Sequence, residues 1–140
     1  MKRKATAVWQ GTGMEGNGTL SSDSGVLNNT QYSFSTRFAD GIGTNPEELI
    51  AAAHAGCFTM ALSFQLSNAG FVPEKLETKA VLNMDKLELG WTVIAIVLNL
   101  EASVPGIDNE KFMELANAAK AGCPVSRLLN TEITMNAKLI

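Results

Sequence analysis

The chain opens with alternating apolar and polar positions and then changes to helical spacing. Residues 4–10, Lys-Ala-Thr-Ala-Val-Trp-Gln, carry the β-branched and aromatic content of a strand. The glycine-rich run from Gly11 to Gly18 reads as a turn, and Gly18-Thr19-Leu20-Ser21 as a second short strand. Residues 31–36 alternate, with Tyr32, Phe34 and Thr36 on one face and Gln31, Ser33 and Ser35 on the other, which predicts a third strand ending at Arg37. The result is an N-terminal antiparallel meander.

After the Asp40-Gly41-Ile42-Gly43 loop the pattern predicts a long helix from about Pro46 to Asn68. Asn45 is a good N-cap, and Pro46 suits the first helical position because its missing N–H would be unpaired there anyway. Glu47 and Glu48 match the positive end of the helix dipole, and Gly70 provides the stop. Beyond the two glutamates, alanines and a central cysteine fill two turns with almost no charge, so the helix reads as buried on nearly every face. The face carrying Cys57 is expected to hold Ile50, Ala53, His54, Met60, Ala61 and Phe64.

Residues 76–84 and 91–104 read as strands, joined by a hairpin connection from Asp85 to Gly90. Asp108 caps a second helix from about Asn109 to Lys120, ended by Gly122. Cys123-Pro124-Val125-Ser126-Arg127-Leu128-Leu129 reads as a short helix, and 131–140 as a last strand. The order predicts a single α+β domain over residues 1–140, with mostly antiparallel pairing.

At 46% hydrophobic residues the chain can build a core, while 18% charged residues is low enough to hint that a partner subunit covers part of the surface. A net charge of -3 argues against nucleic acid as a main partner, and 6% aromatics against a base-stacking platform. No apolar run reaches the roughly 18 residues of a membrane span. The basic start, Met1-Lys2-Arg3-Lys4, is not followed by the apolar stretch of a secretory signal, so the expected location is the cytoplasm. There, two cysteines do not suggest a structural disulfide, and one histidine with no Cys-x-x-Cys does not suggest zinc.

Cys57 and Cys123 are therefore either inert core residues or a redox pair. A free thiol is only a few per cent ionised at neutral pH, so reactivity needs a positive neighbour. Cys123 falls at the start of the predicted short helix, where the dipole favours thiolate. Cys57 lies mid-helix and needs a cation from elsewhere. Arg37 is the best candidate, and Glu47 could aim its guanidinium through a bidentate pair. The plain alternative for each is a buried inert thiol, a solvated strand-end arginine and a helix-stabilising glutamate. His54, three residues before Cys57, fits a packed histidine about as well as a catalytic base.

Thr44-Asn45-Pro46-Glu47-Glu48-Leu49 leading into the alanine-rich helix with Cys57, followed by Ala121-Gly122-Cys123-Pro124-Val125-Ser126, resembles the OsmC/Ohr family of thiol peroxidases. Ser24-Gly25-Val26-Leu27-Asn28, Thr36-Arg37-Phe38 and Val104-Pro105-Gly106-Ile107-Asp108 resemble its osmotically inducible branch. The resemblance implies an OsmC-like fold in an intertwined homodimer, with sites at the subunit interface and no metal or organic cofactor. It implies that Cys57 is the peroxidatic thiol, Cys123 the resolving thiol, and Arg37 with Glu47 the activating pair. The expected substrate is an organic hydroperoxide and the expected reductant a dithiol, lipoyl-type by resemblance. The competing readings are a dimeric binding protein for a small apolar ligand, with inert cysteines, and a Cys-His hydrolase using His54. The hydrolase lacks an obvious third group to orient the histidine.

Overall fold

The computed structural model describes residues 1–140, which gather into two compact units, Met1–Leu49 and Ile50–Ile140. The elements are β1 (Ala5–Gln10), β2 (Asn17–Ser22), β3 (Thr30–Ser33), α1 (Phe34–Phe38), α2 (Pro46–Asn68), β4 (Lys75–Leu87), β5 (Gly90–Ser103), α3 (Asn109–Gly122), α4 (Pro124–Leu128) and β6 (Glu132–Leu139).

In the first unit, β1, β2 and β3 form the expected antiparallel meander. Gly18 pairs with Trp9 on one side and Tyr32 on the other, and a Cβ there would collide with both rings. The two rings lie 5.3 Å apart, so glycine lets aromatic side chains close over the bare backbone. The third strand is shorter than the alternation predicts. It stops at Ser33, and residues 34–38 turn into the short helix α1. A capping box decides this: Ser33 accepts from the Thr36 N–H, and the Thr36 hydroxyl in turn accepts from the Ser33 N–H at 2.8 Å. Arg37 therefore leaves from the last turn of a helix, not from the end of a strand.

The loop after α1 fixes the start of α2. Asn45 caps the helix by accepting from the Glu48 N–H at 2.8 Å, and its amide donates to the Thr36 carbonyl at 3.0 Å. One side chain thus ties α1 to the first turn of α2. Gly43 has φ +138, and a Cβ there would run into the Gln31 carbonyl, which already accepts from the Thr44 N–H.

In the second unit, β5 lies between β4 and β6. The β4–β5 ladder is antiparallel and longer than expected, continuing to the Leu87–Gly90 pair, so the connection shrinks to Glu88-Leu89. The β5–β6 pair is parallel, an exception within mostly antiparallel pairing. The α3–α4 crossover returns the chain to the same end of the sheet, as a parallel pair requires. Gly122 closes α3 as its last residue, one position before Cys123.

Every second residue of β5 from Ile96 to Ala102 is buried, facing Phe112, Leu115, Ala116 and Ala119 of α3 and the inner stripe of α2. That stripe is His54, Phe58, Leu62 and Leu66, a strict four-residue repeat. Burying each such leucine or phenylalanine contributes about 1.5–3 kcal/mol. The helix is not buried all round. Met60 and Phe64 are 65% and 63% exposed, on the face away from the stripe, whereas Cys57 and Ala61 flank it. By length and a hydropathy of 1.5, α2 could cross a membrane, yet its inner stripe packs against β5 and α3.

Candidate active site

Two pairs of the expected residues come together, one in each unit. In the first unit, the Arg37 guanidinium meets the Glu47 carboxylate. Nε donates to Oε1 at 2.9 Å and Nη2 donates to the same oxygen at 2.5 Å. The expected two-oxygen fork is absent: Oε2 is buried without a hydrogen-bond partner. The guanidinium carbon also lies 5.2 Å from the centre of the Phe38 ring, and Phe38 packs on Phe34 at 4.8 Å. Arg37, these rings, Trp9 and Tyr32 line a small apolar cavity of about 120 Å³.

In the second unit, Cys57 of α2 and Cys123 at the α3–α4 junction bring their sulfurs to 2.7 Å. Both are free thiols, Cys57 half-buried and Cys123 fully buried. A disulfide bond is about 2.05 Å long, so small movements would join them. Their sequence separation of 66 residues hides this proximity, which arises because α2 and α3 pack on the same face of β5.

The thiols differ electrostatically. Burial pushes the Cys57 thiol up, and sharing a hydrogen bond with Cys123 pushes it further. Burial also disfavours a Cys123 thiolate. The neighbouring Cys57 thiol and the polar groups of Ser126 and Val125 at the start of α4 outweigh that, and its pKa moves down. Pro124 occupies the first helical position of α4, where its missing N–H leaves no orphan donor.

His54 lies one turn before Cys57 and is fully buried. It is not paired with a cysteine. Its Nε2 is 2.8 Å from Ser126 Oγ, and its Nδ1 has no partner. Burial lowers its pKa, so the ring is neutral. The Cys-His hydrolase reading loses its base, because Nε2 is taken by Ser126 and Nδ1 reaches no cysteine. Ser126 was not among the residues singled out for chemistry. The only signal was its place three residues after Cys123, which is the spacing of a side chain that folds back over a helix start.

Comparison with known proteins adds a second line of evidence. Residues 39–138 match the model of the OsmC-like protein family. The chain belongs to the OsmC family. It is 50% identical to the peroxiredoxin OsmC of Escherichia coli, over 98% of this chain and 96% of that protein. It is 30% identical to the organic hydroperoxide resistance protein OhrB of Bacillus subtilis, over 87% of this chain and 88% of that one. The crystal structure of that OhrB superposes with a TM-score of 0.69 at 28% identity, covering 98% of each chain. An OsmC-like protein of unknown function from Vibrio cholerae superposes with a TM-score of 0.80 over 99% of each chain, and at 17% identity it speaks for the fold alone. The OsmC-like α+β fold expected from the motifs is the fold observed.

Proposed function

We propose that this protein is a thiol peroxidase that reduces organic hydroperoxides, with Cys57 as the attacking thiol and Cys123 as the resolving thiol. The observation that carries this reading is the Cys57–Cys123 sulfur pair at 2.7 Å with unequal exposure. A peroxide must reach the attacking sulfur, and Cys57 is the half-exposed member. The names of the relatives in E. coli and B. subtilis supply the reaction class.

In the proposed cycle the Cys57 thiolate attacks one peroxide oxygen and the O–O bond breaks. The organic group leaves as an alkoxide that takes up a proton, and Cys57 becomes a sulfenic acid. Cys123 then closes a disulfide and releases water. A dithiol, lipoyl-type by family resemblance, reduces the disulfide and is itself oxidised. Burial works against the Cys57 thiolate, so the cycle needs a cation, and Arg37 held by Glu47 is the proposed source. Arg37 would also carry charge on the departing alkoxide.

The same proposal includes a homodimer, with residues 1–140 working as one domain. Met60 lines an open groove of about 630 Å³ between α2 and β4, and Phe64 lies beside it one turn along α2; both are exposed. Such apolar surface is commonly covered in an assembly. The cytoplasm, where thiol pools keep cysteines reduced, is the proposed location.

The test is consumption of cumene hydroperoxide with a dithiol reductant, on wild type and Cys57→Ser together. Turnover lost in the mutant supports the reading. Absence of turnover in the wild type, with Cys57 inert to a thiol probe, would leave an apolar-ligand binding protein as the better account.

A further inference from the structure

Within α2 the inner stripe is apolar except at His54. Phe58, Leu62 and Leu66 fill it by packing alone, and a histidine at the same depth leaves Nδ1 without a partner. Packing therefore does not explain the residue. Its one hydrogen bond does: Nε2 lies 2.8 Å from Ser126 Oγ, and Ser126 stands one turn beyond Cys123 at the start of α4 as His54 stands one turn before Cys57 in α2, which sets this pair beside the 2.7 Å sulfur pair.

The protons of this row can be counted. Ser126 has one hydroxyl proton. If it gives that proton to the ring, only lone pairs face Cys123, and they oppose a thiolate. If His54 carries its proton on Nε2, the ring donates to Ser126 Oγ and the serine proton is free for the sulfur. The second arrangement leaves Nδ1 as a bare acceptor; the first would leave a buried N–H with nowhere to donate. The Lys120 ammonium at the end of α3 is engaged elsewhere, donating to the Ile133 carbonyl.

We propose that Ser126 is a catalytic hydrogen-bond donor to the Cys123 thiolate and that His54 is the positioning residue that orients it. The proposal rests on the thiol peroxidase reading above, and it assigns the row a role in both directions of the disulfide step. On closure, the Cys123 sulfur attacks Cys57, the Cys57 S–O bond breaks, and hydroxide leaves as water with the proton that Cys123 has given up. On reopening, a reductant thiolate attacks Cys57, the half-exposed sulfur. The S–S bond breaks and Cys123 departs as a thiolate onto the Ser126 hydroxyl. The second thiol of the reductant then displaces Cys57, and the reductant leaves as a disulfide. A better-stabilised leaving thiolate leaves faster, so the row directs attack to Cys57.

The experiment is a rapid-quench single turnover with cumene hydroperoxide, in which a dimedone-type trap reports Cys57 sulfenic acid and mass spectrometry reports the disulfide. Closure relative to Cys57 oxidation should fall about tenfold in Ser126→Ala, the low end of what losing one hydrogen bond to a charged group does. It should recover in Ser126→Thr, which keeps a hydroxyl. His54→Leu should slow closure similarly, and His54→Gln, with an amide N–H near the Nε2 position, should recover most of it. Equal closure in Ser126→Ala and wild type, or no rescue by threonine in a folded protein, would overturn the proposal. A second readout does not require peroxidase activity: the ultraviolet thiolate absorbance of Cys123 in a Cys57→Ser background. Removing the Ser126 hydroxyl should lower the thiolate fraction at neutral pH. An unchanged fraction overturns the proposal, while a wild type inert to peroxide with a Ser126-dependent thiolate would overturn only the peroxidase reading.

Discussion

Arg37 places two of its nitrogens on a single oxygen of Glu47, Oε1, and leaves Oε2 buried and unpaired. The carboxylate thus holds the guanidinium by one edge only. Glu47→Gln keeps the shape and loses the charge. A hydrogen bond to a charged group is worth about 1.5–3 kcal/mol, which corresponds to a loss in kcat/KM of about 10- to 100-fold if Arg37 must be aimed. Arg37→Lys should lose as much, because one ammonium cannot replace two guanidinium donors on this oxygen. Steady-state kinetics with cumene hydroperoxide check both. Wild-type kcat/KM in Glu47→Gln would remove Arg37 positioning from the mechanism.

The two cysteines should fail differently. Cys57→Ser is expected to abolish turnover. Cys123→Ser should permit one oxidation and then, lacking a resolving thiol, allow Cys57 to proceed to sulfinic acid under excess peroxide. Intact-mass spectrometry reads this directly as two added oxygens. A stable, fully reduced Cys57 in that variant would contradict its assignment as the attacking thiol.

Stability should fall on mild acidification because of His54. Its ordinary pKa is 6.5 and burial lowers it in the folded protein. Below pH 6.5 the unfolded chain binds a proton that the folded state resists, so the stabilisation present above that pH is lost as pH drops toward the folded value. Urea midpoints at about pH 7.5 and about pH 5 should therefore differ more in wild type than in His54→Gln, which has no proton to bind. Parallel losses in the two proteins would place the effect elsewhere.

Residues on opposite faces of α2 should respond oppositely. Phe58 is fully buried, and Phe58→Ala should cost about 3–5 kcal/mol in urea unfolding. Phe64 is largely exposed in the single chain, so Phe64→Glu should leave the fold intact yet weaken the proposed dimer. Sedimentation velocity distinguishes the two effects. An unchanged sedimentation coefficient for a dimeric Phe64→Glu would move the interface to another face.

Gly43→Ala tests the loop that delivers Asn45 to the helix start. The added methyl meets the Gln31 carbonyl, and the φ of +138 is strained for alanine, at a cost of order 1–3 kcal/mol. A lower melting temperature is expected, and a melting temperature equal to wild type would show that the loop relaxes.

Local chemistry determined much of this protein before any folding was considered. Asn45, Pro46 and Gly70 bound α2 through the cap, the missing N–H and a positive φ; Asp108 starts α3, alternation marks β4 and β6, and a dense run of Val, Ile and Leu marks β5. The two cysteine motifs were legible because each is a short run of adjacent residues, and the roles of Cys57, Cys123, Arg37 and Glu47 came from the family resemblance of those runs. What failed at the sequence level depended on competition or distance. The alternation through residues 31–36 predicted a strand, and the Ser33–Thr36 capping box, worth more locally, turned its second half into a helix. The alanine-rich composition of α2 suggested burial on every side, whereas packing buried one four-residue stripe and left Met60 and Phe64 outside. Only the tertiary structure put Cys57 against Cys123 and His54 against Ser126, 66 and 72 residues apart, because two helices chose the same face of one sheet. No periodicity records such a choice, since it is made by the summed burial of β5, α2 and α3 and not by any segment alone.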